Sequence, residues 1–341
     1  MSVLVTGCTG FIAQHIVHDL LEQNYKVIGT VRSEEKGDKL KSQFHNNPLL
    51  VTEVVKDIAV SHAFDALFEK HGKEIKVVLH TASPFHFKTT EYEKDLLIPA
   101  IHGTKSVLES IKKYGAQTVE RVVITSSIAA VKDTSKFAEK DFVYTEDSWN
   151  PVTWEGSQIN PQDAYRGSKK FAEKAAWDFL DENKNTVKFK MTTVNPALIF
   201  GPQTFAANIT ESLNTSAEVI NAFLHSGPET DVSGLKNDFV DVRDVSRAHL
   251  LAFQKDEAIG QRLGLSSGQF NAKDLADILN RKFPQLQGTL PKCAGEGAYQ
   301  TNPYARFDIS KTKKILGFEL KTLEETVCDT AAQILKAEGK L

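Results

Sequence analysis

The 341-residue chain has three cysteines, two methionines and no excess of charge of either sign. The cysteines, Cys8, Cys293 and Cys328, form no disulfide framework and fit a reducing compartment. No Cys/His cluster has zinc spacing, so no metal is expected. The longest apolar runs, such as Ala197–Phe200, fall far short of the ~20 residues a membrane span needs. The first residues carry no basic stretch followed by an apolar one, as a secretory signal would, and the expected location is cytoplasmic. With 41 Lys+Arg against 44 Asp+Glu, a net charge of −3 argues against a nucleic-acid partner, which calls for a basic face. Disorder is excluded for most of the length, because hydrophobic residues make up 41% and charged residues 25%.

What is present is rhythm. Short β-branched runs at 3–6, 25–31, 51–55, 75–80 and 121–125 alternate with amphipathic segments at 11–23, 33–44, 61–70 and 91–114. In the first helix Ile12, Ile16 and Leu20 recur at i, i+4 and i+8. Ser33 is placed to cap the second, and Pro99 to kink the fourth. Five strands alternating with helices predict an α/β fold: a doubly wound parallel sheet of Rossmann type. Residues 132–160 break the rhythm as a polar insertion containing Trp149 and Trp154, before a helix over 161–183 and a sixth strand over 187–194. At roughly 150 residues per domain the length suggests two units. We read 1–195 as a dinucleotide-binding domain and 196–341 as mainly a smaller mixed α/β substrate lobe, with segments near 238–265 returning to the first domain. Helices are expected near 209–225, 243–254, 271–283 and 321–337, and a short strand near 261–266. The three tryptophans read as core residues, and Asp241–Asp244 as an anchor for the lobe.

The first strand runs into Gly7-Cys8-Thr9-Gly10-Phe11-Ile12-Ala13, a glycine turn between strand and helix. Gly7 permits the turn, Gly10 lets backbone approach a pyrophosphate, and Ala13 lets the helix pack on the sheet. The amides and positive end of the helix then face phosphate. Strand two ends in Arg32 where an acid would bind the ribose 2′-hydroxyl of NAD, with Lys36 a turn further on. A guanidinium there pairs with a 2′-phosphate, so the expected cofactor is NADPH/NADP. Asp57 and Ile58 follow strand three, placed either for the adenine or, at Asp57, for a helix cap.

Strand five ends in Thr125-Ser126-Ser127, at the edge where open α/β sheets bind ligands. Further on, Tyr165 is the only tyrosine with a lysine four residues later, Lys169. The spacing puts both on one helix face. A free phenol titrates near about 10, too high for a proton shuttle at neutral pH. A neighbouring ammonium stabilises the phenolate, and lowering the pKa by ~2–3 units takes roughly 3–4 kcal/mol. Ser127 is placed to hold a carbonyl oxygen.

These motifs, in this order, resemble those of the extended short-chain dehydrogenases/reductases. Within that family the chain is most similar to the dihydroflavonol-reductase-like branch that includes yeast NADPH-dependent methylglyoxal/3-methylbutanal reductases and aldehyde reductases. The resemblance runs along the whole chain, through Phe11–Ile16, His80–Phe85, Glu120–Ser127, Gly167–Lys174, Asn195-Pro196, Phe200–Gln203 and Asp241–Asp244. It implies a Ser127, Tyr165 and Lys169 catalytic set, hydride delivery from NADPH to an aldehyde or ketone, and Tyr165 as proton donor. It further implies that Lys169 holds the nicotinamide ribose, that Thr81, Ala82, Ser83 and Pro196 to Ile199 line the cofactor, and that Ser216 reaches the adenosine phosphate. Ile128 and Leu198 stand where related yeast enzymes can carry aromatics. Beside Phe85 they imply a roomier, less polar substrate pocket. A nucleotide-sugar epimerase or dehydratase of the same fold, and a non-catalytic NADP sensor, remain as alternatives. The chain is expected to act as a monomer or homodimer on a small carbonyl substrate, without nucleic acid or membrane.

Overall fold

The computed structural model describes residues 1–83, 89–210 and 213–341. The first half holds β1 (Ser2–Thr6), α1 (Phe11–Glu22), β2 (Lys26–Val31), α2 (Glu34–Gln43), β3 (Leu50–Val54), α3 (Asp65–His71), β4 (Ile75–His80), α4 (Ile98–Ser110) and β5 (Arg121–Thr125). The insertion carries a two-residue strand, β6 (Val143–Tyr144), and leads to α5 (Pro161–Asn183) and β7 (Lys190–Pro196). Then follow β8 (Leu198–Phe200), α6 (Ala217–His225), β9 (Lys236–Asp241), α7 (Val242–Gln254), β10 (Arg262–Leu265), β11 (Gly268–Asn271) and α8 (Ala272–Lys282). The chain closes with α9 (Ala298–Thr301), β12 (Arg306–Phe307), α10 (Ser310–Leu316) and α11 (Leu323–Ala337).

Seven strands form one sheet in the order β10-β7-β5-β4-β1-β2-β3, every pair parallel. The order reverses between β1 and β4, which opens a crevice at their carboxyl ends. Alternation along the strands divides the core. Val3, Val5, Val77, Leu79 and Val123 join Ile16, Leu20, Leu40, Val245 and Phe253 of α1, α2 and α7. Leu4, Val78, Val122 and Ile124 join Leu67, Phe68, Val107, Leu108 and Phe179 of α3, α4 and α5 on the other face. A third core, with Phe200, Phe239 and Phe270, lies between the three-stranded sheet β11-β9-β8 and α6, α8 and α11.

The expected helix over 91–114 is one continuous helical run, Glu93–Gly115, that widens at both ends. Wide π-helical turns at Glu93–Leu97 and Ile111–Gly115 flank α4. Pro99 lies within this run, two residues past the first wide turn, where the sequence places an irregularity. Ser33 caps α2 as expected, accepting from Lys36 N at 3.3 Å. Strands β8, β9 and β11 and helix α10 were not anticipated: all are short, β9, β11 and α10 are largely polar, and β8 is a bare three-residue apolar run. Among the described residues no helix is long and apolar enough to cross a membrane.

Candidate active site

The chain leaves β1 through Gly7 at φ +70°, which glycine adopts without a Cβ penalty. Gly7 N donates to Thr30 Oγ1 at 3.0 Å, and Gly10 N to Gly7 O at 2.9 Å. Gly10 is the N-cap of α1 and brings no side-chain cap. The amides of Phe11 and Ile12 therefore have no intrahelical acceptor, and Thr9 and Gly10 are exposed beside them. Opposite, Thr81 N and Ala82 N donate to Thr6 Oγ1 at 3.1 and 3.0 Å, and the Thr81 hydroxyl donates to Thr6 O. A Cβ on Gly7 would stand 3.1 Å from that of Ala82, so any larger side chain would fill this cradle. Arg32 and Lys36, both exposed, lie just past the carboxyl end of β2 with no acid in the NAD position. Uncapped amides, a bare glycine turn and two free-standing cations fit the diphosphate and 2′-phosphate of NADPH.

Ser127 lies beyond β5, 7% exposed, with Oγ accepting from Ala129 N at 3.1 Å and lying 3.5 Å from Pro196 O. Helix α5 delivers the other two groups. Asn160 caps it by accepting from Asp163 N at 2.9 Å, and Pro161 opens its first turn. Tyr165 and Lys169 follow on one face. Burial raises the Tyr165 phenol above its ordinary value, and a side-chain hydrogen bond with Ser127 works against that rise. Burial pushes the Lys169 ammonium down to about 8, opposed by the charge of Glu173. Behind them His80, 3% exposed, is pushed down to about 4 by burial and by Lys169. Thr6 Oγ1 already accepts two amides, so its own proton points to His80 Nδ1 at 3.0 Å and the ring proton sits on Nε2. A cavity of about 20 Å³, room for one water, is lined by His80, Thr104, Ser126, Lys169 and Glu173.

The structure thus brings Ser127 and Tyr165 into contact, with Lys169 one turn on and Pro196 at 3.5 Å. Other expected residues are engaged locally. Asp57 Oδ1 accepts from Ala59 N at 2.9 Å, the geometry of a turn cap. Ile58 packs against the α3–α5 face of the core. Ser216 is the N-cap residue of α6, and its Oγ accepts from Asn214 Nδ2 at 3.1 Å. Ile199 packs against the α1–α7 core and Leu198 against the lobe core. Ile128, 7% exposed, is almost wholly enclosed, so only a small edge of it is open to a ligand. Phe85 lies outside the described residues. Trp149 is not a core residue but a platform: Arg262 Cζ lies 3.8 Å and Lys174 Nζ 4.6 Å from its ring centroid. The sequence reading missed Glu173, His80 and Arg262. Glu173 was within reach, since it continues the Tyr165–Lys169 spacing by four residues.

A doubly wound sheet with an uncapped glycine cradle and a Ser/Tyr/Lys set at its carboxyl edge defines a dinucleotide-binding oxidoreductase of the extended short-chain type. The chain matches the NAD dependent epimerase/dehydratase family over residues 3–264, and it belongs to that family. The NADPH-dependent methylglyoxal reductase of Saccharomyces cerevisiae is 54% identical over 342 residues, covering all of both chains. The putative NADPH-dependent methylglyoxal reductase of Candida albicans is 45% identical over 339 residues, 98% of each chain. The crystal structure of yeast methylglyoxal/isovaleraldehyde reductase complexed with NADPH superposes with a TM-score of 0.98 over all of both chains, at 54% identity. A UDP-glucose 4-epimerase from Thermotoga maritima, at 23% identity and a TM-score of 0.73, shares the fold.

Proposed function

We propose that the chain is an NADPH-dependent carbonyl reductase that converts small aldehydes and ketones to alcohols. The observation that carries this reading is the side-chain hydrogen bond between Ser127 and Tyr165, with Lys169 one helical turn away on the same helix. The full-length likeness to the yeast and Candida reductases supports it.

NADPH, when bound, supplies the hydride. Gly7, Thr9, Gly10, Phe11 and Ile12 would hold its diphosphate, Arg32 and Lys36 its 2′-phosphate, and Thr81, Ala82, Ser83, Pro196 and Ile199 its nicotinamide half. Ser127 Oγ–H donates to the substrate carbonyl oxygen and polarises it. Tyr165 gives its phenolic proton to the same oxygen as negative charge develops there. Burial keeps that phenol protonated in the protein alone, which is the form reduction requires. The Lys169 ammonium then stabilises the phenolate left behind. Ile128, Leu198 and Phe85 belong to the substrate side in this reading, and Ser216 and Asp57 to the adenosine end. A boundary near residue 195, a cytoplasmic location and a monomeric or homodimeric state belong to it as well. The three free cysteines suit a reducing compartment.

A specific observation weighs against the epimerase alternative. A nucleotide-sugar diphosphate needs unengaged cations in the lobe, and the candidates are occupied. Arg243 pairs with Asp241 and Asp329, Arg262 with Glu173 and Arg281 with Glu324, while Arg247 lies over Phe318. The test is loss of NADPH absorbance with methylglyoxal, 3-methylbutanal, a 2,5-diketone and a bulky aryl ketone, repeated with NADH. Turnover that favours NADPH supports the reading. Tight NADPH binding with no turnover on the panel, but conversion of a UDP-sugar, refutes it.

A further inference from the structure

Glu173 is 1% exposed and continues the catalytic face of α5, one turn beyond Lys169. Its carboxylate gathers donors from β7, from β10, from its own helix and from the residue that follows β5. Oε1 accepts from Arg262 Nε of β10 at 2.6 Å, and Trp177 Nε1 and Thr193 Oγ1 lie at 3.3 and 3.2 Å. Oε2 accepts from Ser126 Oγ at 2.6 Å and from Asn195 Nδ2 at 2.7 Å. Two of these partners lead to the reaction centre. Ser126 immediately precedes Ser127, and Asn195 Nδ2 also lies 3.3 Å from the Ser127 carbonyl oxygen. Removing such a carboxylate would leave several buried donors unpaired at once.

We propose that Glu173 is a positioning residue: through Ser126 and Asn195 it fixes the backbone that carries Ser127, and its negative charge faces Lys169 one helical turn away. The proposal rests on the assignment of Ser127 and Lys169 above. Among the described residues, Glu173 is the one acidic group lining the small cavity it shares with Lys169. The other titratable groups around Lys169 are Tyr165 on the same helix and His80 on β4, while Arg262 of β10 faces Glu173 from behind. Burial already pushes Lys169 down to about 8, and Glu173 opposes that fall. Loss of the carboxylate charge therefore moves Lys169 further down, and the ammonium disappears nearer neutrality.

Glu173→Gln tests this, because it keeps the size and removes the charge. The expected result is a cooperatively folding protein with kcat down about tenfold, a carbonyl KM within about twofold, and the alkaline limb of kcat about one pH unit lower. Arg262→Lys keeps a cation on Glu173 and is expected to leave that limb at its wild-type pH, whatever it does to melting. A Glu173→Gln variant with wild-type kcat and pH profile, altered only in thermal stability, overturns the proposal. If Glu173→Gln does not fold, Ser126→Ala decides: kcat falls several-fold with the limb unmoved, and a wild-type kcat overturns the link to Ser127. NADPH affinity followed by tryptophan fluorescence, without any carbonyl, provides an independent readout. Its loss at alkaline pH begins lower in Glu173→Gln than in wild type, and coincident profiles count against the proposal. Absence of wild-type turnover would count against the reductase reading alone.

Discussion

Gly167 and Ser157 approach so closely that a Cβ on Gly167 would fall 2.0 Å from Ser157 Oγ and 2.5 Å from Ser157 Cβ. Gly167 lies between Tyr165 and Lys169, so the short turn Gly156–Gln158 of the insertion sits directly on the catalytic helix. Leu97, at 3.1 Å, closes the space from the other side. Gly167→Ala is expected to lower unfolding free energy by about 1–3 kcal/mol and kcat by more than about tenfold, because α5 must shift. Denaturant melts and steady-state kinetics measure both. A second change, Ser157→Gly, restores most of each loss if the overlap is the cause.

Arg32 and Lys36 stand exposed beyond β2, so their removal disturbs little else. Arg32→Ser is expected to weaken NADPH binding by roughly ten- to a hundredfold, the loss of charge-assisted bonds worth about 1.5–3 kcal/mol. NADH binding stays within about threefold of wild type. Titration of nucleotide fluorescence against each protein checks this. Equal losses for both nucleotides would show that Arg32 does not read the 2′-phosphate.

His80 and His249 are buried neutral, each pushed down to about 4, chiefly by burial. His249 accepts from Thr125 Oγ1 through Nε2 at 2.7 Å and donates from Nδ1 to Val245 O at 2.7 Å. Both folded values lie below the ordinary 6.5, so the unfolded chain binds more protons in between. Stability is therefore present above about pH 6.5 and lost as pH falls toward 4. Asp244, raised to about 6 by burial, acts in the opposite direction over much of this window, while His15, lowered by burial, acts with the other two histidines. Glu74, held down at about 2 by Lys26 and His71, extends the loss below pH 4.5. Melting temperature against pH is expected to fall through this range, with a shallower slope in His249→Gln.

Leu198 is partly exposed, whereas Ile128 is enclosed, which makes Leu198 the cleaner probe of the substrate side. Leu198→Tyr is expected to cut kcat/KM for a bulky aryl ketone about tenfold while leaving methylglyoxal within about threefold. An unchanged substrate range would remove Leu198 from the pocket.

Elements built on long periodic patterns were legible in the sequence. The β1–α1 turn, the spacing of Tyr165 and Lys169 and the serine pair after β5 are local signals, and local signals survive in a linear reading. What escaped depends on tertiary contact. Glu173 gains its partners from β7, β10 and the residue just past β5, which are far apart in the chain. Trp149 reads as a core residue until Arg262 is seen stacked on its ring. Strands β8, β9 and β11, of three, six and four residues, are too short for a period to show, yet Phe200, Phe239 and Phe270 from them meet in one core.

The central claim is that Tyr165 supplies the proton to a carbonyl held by Ser127. The most direct test is Tyr165→Phe, assayed for NADPH oxidation with methylglyoxal and 3-methylbutanal beside its NADPH dissociation constant. The account predicts a kcat loss of at least about a hundredfold with cofactor affinity within about threefold of wild type. Wild-type turnover in Tyr165→Phe would contradict it and move the proton donor elsewhere.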